Sequence, residues 1–257
     1  MKLRAHLGII LILSLFAPPG ITLAQQRASS GSLDPDAMEA LNRMGAYLRT
    51  LKAYRILSDT VRDEVLQDGQ VVTFAGTTDL LVERPSRMRA DITSDRKSRM
   101  FFYDGRTFTL YARRMGYYAT VPAPATLRQL SNTIEEKYGI ELPLVDLILW
   151  GTDESTVSQV RAARDLGPST IDGTSCEHYA FRQEGLDWQL WLQMGPNPLP
   201  RKLVLTTLTD EARPRYTAVF RWDLAPAYNA EAFTFVPPED AKKIVLTENA
   251  PAAASNR

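Results

Sequence analysis

Two long series of residues in this chain alternate apolar and polar side chains, with turn dipeptides between the runs. Alternation puts successive side chains on opposite faces of an extended backbone, so each run predicts a half-buried strand and argues against a helix. The first series opens over 54–66, turns at Asp68-Gly69 and returns over 71–83, where Pro85 stops it. Runs at 87–92, 99–103, 107–111 and 117–121 follow, with turns at Asp104-Gly105 and Met115-Gly116. The second series occupies 159–166, 177–184, 186–194, 201–209 and 215–224. Residues 233–238 read as a final edge strand or as an extended closing segment, because proline gives no N–H to a ladder. The sum is two antiparallel meanders of about eleven strands.

Helical spacing occurs in three places. Asp34 is suited to capping free backbone N–H groups, and Pro35 to the first helical position. Met38, Leu41, Met44, Leu48 and Leu51 then recur every three or four residues, so a helix is expected over 34–53. Residues 126–138 place Leu127, Leu130 and Ile134 on one side, and 142–150 (LPLVDLILW) predict a shorter, very apolar helix. Both central helices suit a plug or lid against the concave side of a sheet. Strands grouped apart from helices make the class α+β.

The N-terminus carries an export signal. Lys2 and Arg4 precede an apolar run at 7–16, Pro18-Pro19-Gly20 breaks it, and Thr22-Leu23-Ala24 predicts cleavage before Gln25. A spanning helix needs roughly 20 apolar residues, and the prolines stop this run well short. The expected layout is a signal peptide at 1–24, a flexible leader at 25–33, one domain at 34–249 and a disordered tail at 250–257. Taking Lys2 and Arg4 from the 30 basic residues leaves 28 against 30 acidic, a balance that gives no reason to expect nucleic acid. The single cysteine, Cys176, excludes an internal disulfide and makes a lipid-anchored N-terminus unexpected. The fold must be held by its core.

Several stretches carry a family resemblance. They are the leading helix at 34–51, the hairpin at 54–84 with its ending Arg84-Pro85-Ser86-Arg87-Met88-Arg89, and Phe102-Tyr103-Asp104-Gly105. The most specific are CEHYAFRQ at 176–183, DWQLWL at 187–192 and PLPRKL at 198–203. Together they resemble the DUF2092 family of predicted periplasmic proteins, whose layout is similar to that of the LolA/LolB-like lipoprotein-carrier superfamily. The resemblance covers nearly the whole mature chain. It implies a strongly curved antiparallel sheet, an incomplete β-barrel, wrapped around a lid of short helices. In the carriers that concave face holds acyl chains. The expectation is therefore a monomeric, non-enzymatic periplasmic protein without cofactor. It would carry a lipid, an acylated protein or another apolar ligand, with an inner- or outer-membrane protein as a further partner. Fold analogy alone does not define a function, so an interaction module with a filled core is a second expectation.

Trp188, Leu190 and Leu192 share one face of their strand, opposite Asp187, Gln189 and Trp191. With Phe74, Phe102, Leu110, Leu147 and Trp150 they are the candidate lining of a ligand cavity; as a plain core they would serve equally. Arg84, Arg87 and Arg89 are candidates for charges at its rim, since guanidinium pairs with carboxylate and phosphate. Cys176 and His178, two residues apart on a strand, face the same side and carry a third reading, a thiol-dependent hydrolase. No catalytic or metal site is expected: one histidine remains after processing, and structural zinc takes four ligands. Nucleophile-elbow, phosphate-loop, H-E-x-x-H and C-x-x-C patterns are all missing from the sequence.

Overall fold

The computed structural model describes residues 32–150 and 155–249; the signal peptide, most of the leader and the tail lie outside the described residues. Helix α1 (Pro35–Thr50) starts as expected, with the Asp34 carboxylate accepting from the Asp36 and Ala37 amides at 2.9 and 3.3 Å. It buries Ala37, Leu41, Met44 and Leu48, the face set by three-to-four spacing. Strands β1 (Ala53–Val65), β2 (Val71–Glu83), β3 (Arg87–Ser94), β4 (Ser98–Tyr103), β5 (Thr107–Ala112) and β6 (Tyr117–Pro122) form the first meander. Helices α2 (Leu127–Tyr138), α3 (Val145–Leu149) and α4 (Ser155–Ser158) follow. Strands β7 (Ala162–Ile171), β8 (Thr174–Gln183), β9 (Leu186–Gln193), β10 (Pro200–Thr207) and β11 (Arg215–Asp223) form the second.

All these strands join one sheet. β1 pairs with β11 from Arg55↔Asp223 to Arg62↔Tyr216, and so welds the two meanders edge to edge. The sheet is open: β7 ends one side, and a two-residue strand β12 (Lys242–Lys243), parallel to β6, ends the other.

Register fixes which side chains share a face. Tyr54, Ile56, Leu80, Val82, Met88, Ala90, Phe101, Tyr103, Phe108 and Phe220 form the buried lining of one face. Leu127, Leu130 and Ile134 of α2 and Leu147 and Ile148 of α3 pack onto it. The same face continues through Tyr179, Phe181, Trp188, Leu190 and Leu192, where α1 covers it. Helices α1, α2 and α3 therefore sit on one side of the sheet, which is the expected half-barrel arrangement.

Three elements depart from the sequence reading, and a fourth settles on one of its two alternatives. The apolar helix expected at 142–150 shrinks to α3, because Leu142 precedes a proline, which disfavours helical backbone, and Leu144 takes a left-handed φ of 53°. β7 continues past Leu166, with a register shift between Asp165 and Gly167 that absorbs Gly167 (φ 86°) and Pro168. Residues 233–238 do not make a strand: Ala230–Phe233 is a 3-10 turn, and Pro237-Pro238 denies the ladder its donors, so pairing resumes only at β12. The short helix α4 carried no sequence signal.

Candidate functional site

The segment from Leu144 to Trp150 is less firmly capped than α1 and α2. α2 has a Thr126 cap, whose hydroxyl accepts from the Gln129 amide at 3.3 Å, and a left-handed Gly139 that ends it. Its Leu127 amide also donates to the Pro85 carbonyl at 3.0 Å. α3 has five residues, no side-chain cap and a non-glycine residue in the left-handed region at its start. A polar tie to the sheet comes from Arg84, whose Nη2 donates to the Ile148 carbonyl at 2.5 Å. The Arg84 guanidinium lies 5.8 Å from the ring centre of Tyr54, itself buried. Burial pushes the Tyr54 phenol up, against the opposing pull of Arg84.

Trp150, directly after α3, meets Trp188 of β9 edge-on, with ring centres 5.8 Å apart and planes at 69°. Trp188 stacks in turn on Phe181 at 4.2 Å. Trp222 touches both core clusters and packs at 5.5 Å from Tyr54. The region under α3 is thus lined by Tyr54, Arg84, Trp150, Trp188 and Trp222. Of these, Tyr54 and Trp222 escaped the sequence reading, although both lie in alternating runs that assign them to this face.

Among the candidate lining residues, Leu110, Leu147, Trp188, Leu190 and Leu192 share the helix-covered face, and Trp150 packs against it. Leu147, Trp188, Leu190 and Leu192 are at most 6% exposed, so the layer is closed over them. Phe74 is on the same face by register, but toward the hairpin end of β2, where the Arg96 guanidinium sits 5.1 Å from its ring centre. Phe102 does not join them. It pairs with Arg89 and Thr109 on the opposite face, because a strand sends adjacent Phe101 and Phe102 to opposite sides.

The rim arginines divide in the same way. Arg84 turns inward to α3, whereas Arg87 forms an ion pair with Glu83 and lies 5.4 Å from the Phe233 ring centre. Arg89 lies 5.5 Å from the Phe102 ring centre. Arg87 and Arg89 are odd-numbered residues of β3, opposite in face to Met88 and Ala90, and so they do not border the helix-covered side.

That opposite face has its own cover. Phe235 packs against Phe102, Tyr111 and Tyr118 at 5.3, 5.3 and 5.1 Å, and the chain then pairs with β6 before Asn249 donates to the Lys137 carbonyl at 2.6 Å.

Cys176 and His178 do share a face, as their spacing requires, but it is again the one away from the helices. Cys176 is fully buried beside Trp191 and Val204, and burial pushes its thiol up. His178 stacks on Trp191 at 3.9 Å, and its Nε2 is 3.0 Å from Gln189 Oε1. Burial holds the imidazole below its ordinary pKa. The imidazole is therefore committed to Gln189 and Trp191, and the thiol is held in its un-ionised form, the reverse of an activated nucleophile. Among the described residues, no group of three or more His, Cys, Asp or Glu side chains is arranged to hold a metal ion.

A cavity of about 490 Å³ opens between the first turns of α1 and β7–β9, lined by Asp36, Glu39, Arg43, Asp165, Glu177 and neighbours. Its lining mixes those charged side chains with Tyr179, Leu192, Met194 and Pro198, and it shares only Leu192 with the candidate lining.

An open antiparallel sheet with an apolar face under short helices defines the architectural class as an incomplete barrel. The chain belongs to the family described as predicted periplasmic protein (DUF2092), whose model matches residues 37–247. No curated protein matches it in sequence. Among solved structures it is similar to the lipoprotein LppX of Mycobacterium tuberculosis, with 12% identity and a TM-score of 0.49 over 76% of this chain and 98% of that one. LprF of Mycobacterium bovis is 13% identical, with a TM-score of 0.46 over 82% of this chain and 100% of that one. An uncharacterized conserved protein of Thermus thermophilus is 11% identical, with a TM-score of 0.46 over 82% of this chain and 99% of that one.

Proposed function

We propose that this protein is a periplasmic binding protein that takes up an apolar ligand, a lipid or acyl chain, between the sheet and its helical layer, with α3 as the element that yields. The observation that carries this reading is the contrast in how the apolar face is covered. α1 and α2 have capped starts and long apolar stripes, whereas α3 is short, uncapped and tied by a guanidinium–carbonyl bond. Displacing it opens the cluster that α3 closes with Leu147 and Ile148, the one holding Tyr54, Ile56, Leu80 and Phe101, without breaking a strand pair. Each ligand methylene buried there would contribute roughly 0.8 kcal/mol, so an acyl chain supplies ample energy to displace α3.

The second reading is an interaction module with a permanently filled core. It is favoured by the burial of the candidate lining, which leaves the described structure closed. Native mass spectrometry of the mature protein from a periplasmic fraction, with lipid extraction, separates the two. A stoichiometric lipid or acyl chain supports carriage. An apo mass unchanged after incubation with lipids and fatty acids refutes it in favour of the interaction module.

A further inference from the structure

We infer that the ligand presents an uncharged carbonyl oxygen, such as that of an acyl ester, to the indole N–H groups of Trp150 and Trp188. This inference rests on the carrier reading and assigns the polar end of that ligand. Among the described residues, six side-chain polar atoms are sealed from solvent without a hydrogen-bond partner: Tyr54 Oη, Ser58 Oγ, Arg84 Nε, Asp91 Oδ1, Trp150 Nε1 and Trp188 Nε1. Their placement is uneven. Asp91 faces the opposite side of the sheet, while Tyr54, Arg84, Trp150 and Trp188 all gather around α3 through the contacts described above. Other donors on the helix-covered face find partners within the chain: Trp222 Nε1 donates to the Pro200 carbonyl at 2.8 Å, and Tyr103 Oη to the Pro124 carbonyl at 2.5 Å, although Ser58 Oγ does not. A buried donor left unpaired costs free energy that a phenyl ring of similar shape would not incur. Two such indoles in T-shaped contact, with Trp188 only 5% exposed, therefore mark a place where an acceptor arrives from outside the chain.

The chemistry of the donors narrows the acceptor. Indole offers one neutral N–H and no acceptor, so the Trp150–Trp188 pair matches a carbonyl oxygen. A carboxylate or phosphate would lose hydration that two neutral indoles do not replace. Arg84 is the cation nearby, and one of its nitrogens is held by the Ile148 carbonyl. Hydrocarbon, for its part, leaves both indoles as they are.

The test is competition binding on the full mature chain, displacing a fluorescent acyl probe with methyl palmitate, palmitate or heptadecane, which have closely matched chain lengths. Wild type should bind the ester about tenfold tighter than the hydrocarbon, the effect of gaining hydrogen bonds in a dry site. W150F and W188F retain an aromatic ring and delete the N–H, and in the double variant the ratio of ester to hydrocarbon affinity should fall to about one. Equal binding of ester and hydrocarbon by wild type overturns the inference while leaving carriage intact, and needs no variant to fold. So does a preference that survives in the double variant, or palmitate binding tighter than its ester, which would point to Arg84. If the acyl probe itself fails to bind, the carrier reading falls and this inference with it.

Discussion

Replacing Arg84 with alanine should free α3 without loosening the sheet. The side chain makes a charge-assisted bond, Nη2 to the Ile148 carbonyl, and a cation–π contact with Tyr54 at 5.8 Å. A hydrogen bond to a charged group contributes roughly 1.5–3 kcal/mol, and an exposed to partly buried cation–π pair about 0.5–2 kcal/mol. Arg84 is half-buried, and alanine also removes the unpartnered Nε, so a net loss of about 2 kcal/mol is a fair figure. At 1.4 kcal/mol per tenfold, local opening of α3 should rise about 30-fold. Hydrogen exchange reads this directly, because the Leu147 and Ile148 amides are bonded to the Leu144 carbonyl at 3.0 and 3.1 Å. Their protection should fall about 30-fold in R84A while that of β1–β5 amides holds. Unchanged protection at 147–148 would sink the idea that Arg84 restrains α3. Equal loss at all amides would show that Arg84 supports the whole fold instead.

Two other expectations follow from the opposite face. Truncating Phe235 to alanine removes the centre of a four-ring cluster; because the residue is half-buried, the loss should be about 2 kcal/mol, less than for a core phenylalanine, and a urea melt showing under ~0.5 kcal/mol would contradict it. Cys176 should react with iodoacetamide only as fast as the protein opens. Its thiol pKa is raised by burial, so its contribution to stability is fully present below the unfolded thiol value and declines as pH climbs through the folded one. Labelling of the native protein within minutes near neutral pH would refute this placement.

Much of the architecture was legible in the sequence. Alternation in 54–83 and 186–194 decided not only that these are strands but which residues share a face, because a strand has a period of two and no freedom to choose otherwise. The separation of Trp188, Leu190 and Leu192 from Trp191 follows from that alone. So does the start of α1 at Asp34-Pro35, whose capping chemistry is local.

Only the tertiary structure decided which of the two faces the helices would cover. Phe101 and Phe102 have the same side chain and adjacent positions, yet one packs under α2 and α3 and the other under Phe235. Local propensity is blind to this difference, since it depends on the pairing of β1 with β11 across more than 150 residues of chain. The same applies to Arg84, which composition presents as one of three basic rim residues and which the fold turns inward to hold α3. Periodicity is a short-range property of the backbone and is written residue by residue. Sidedness arises when distant apolar faces meet, and that is settled only by packing.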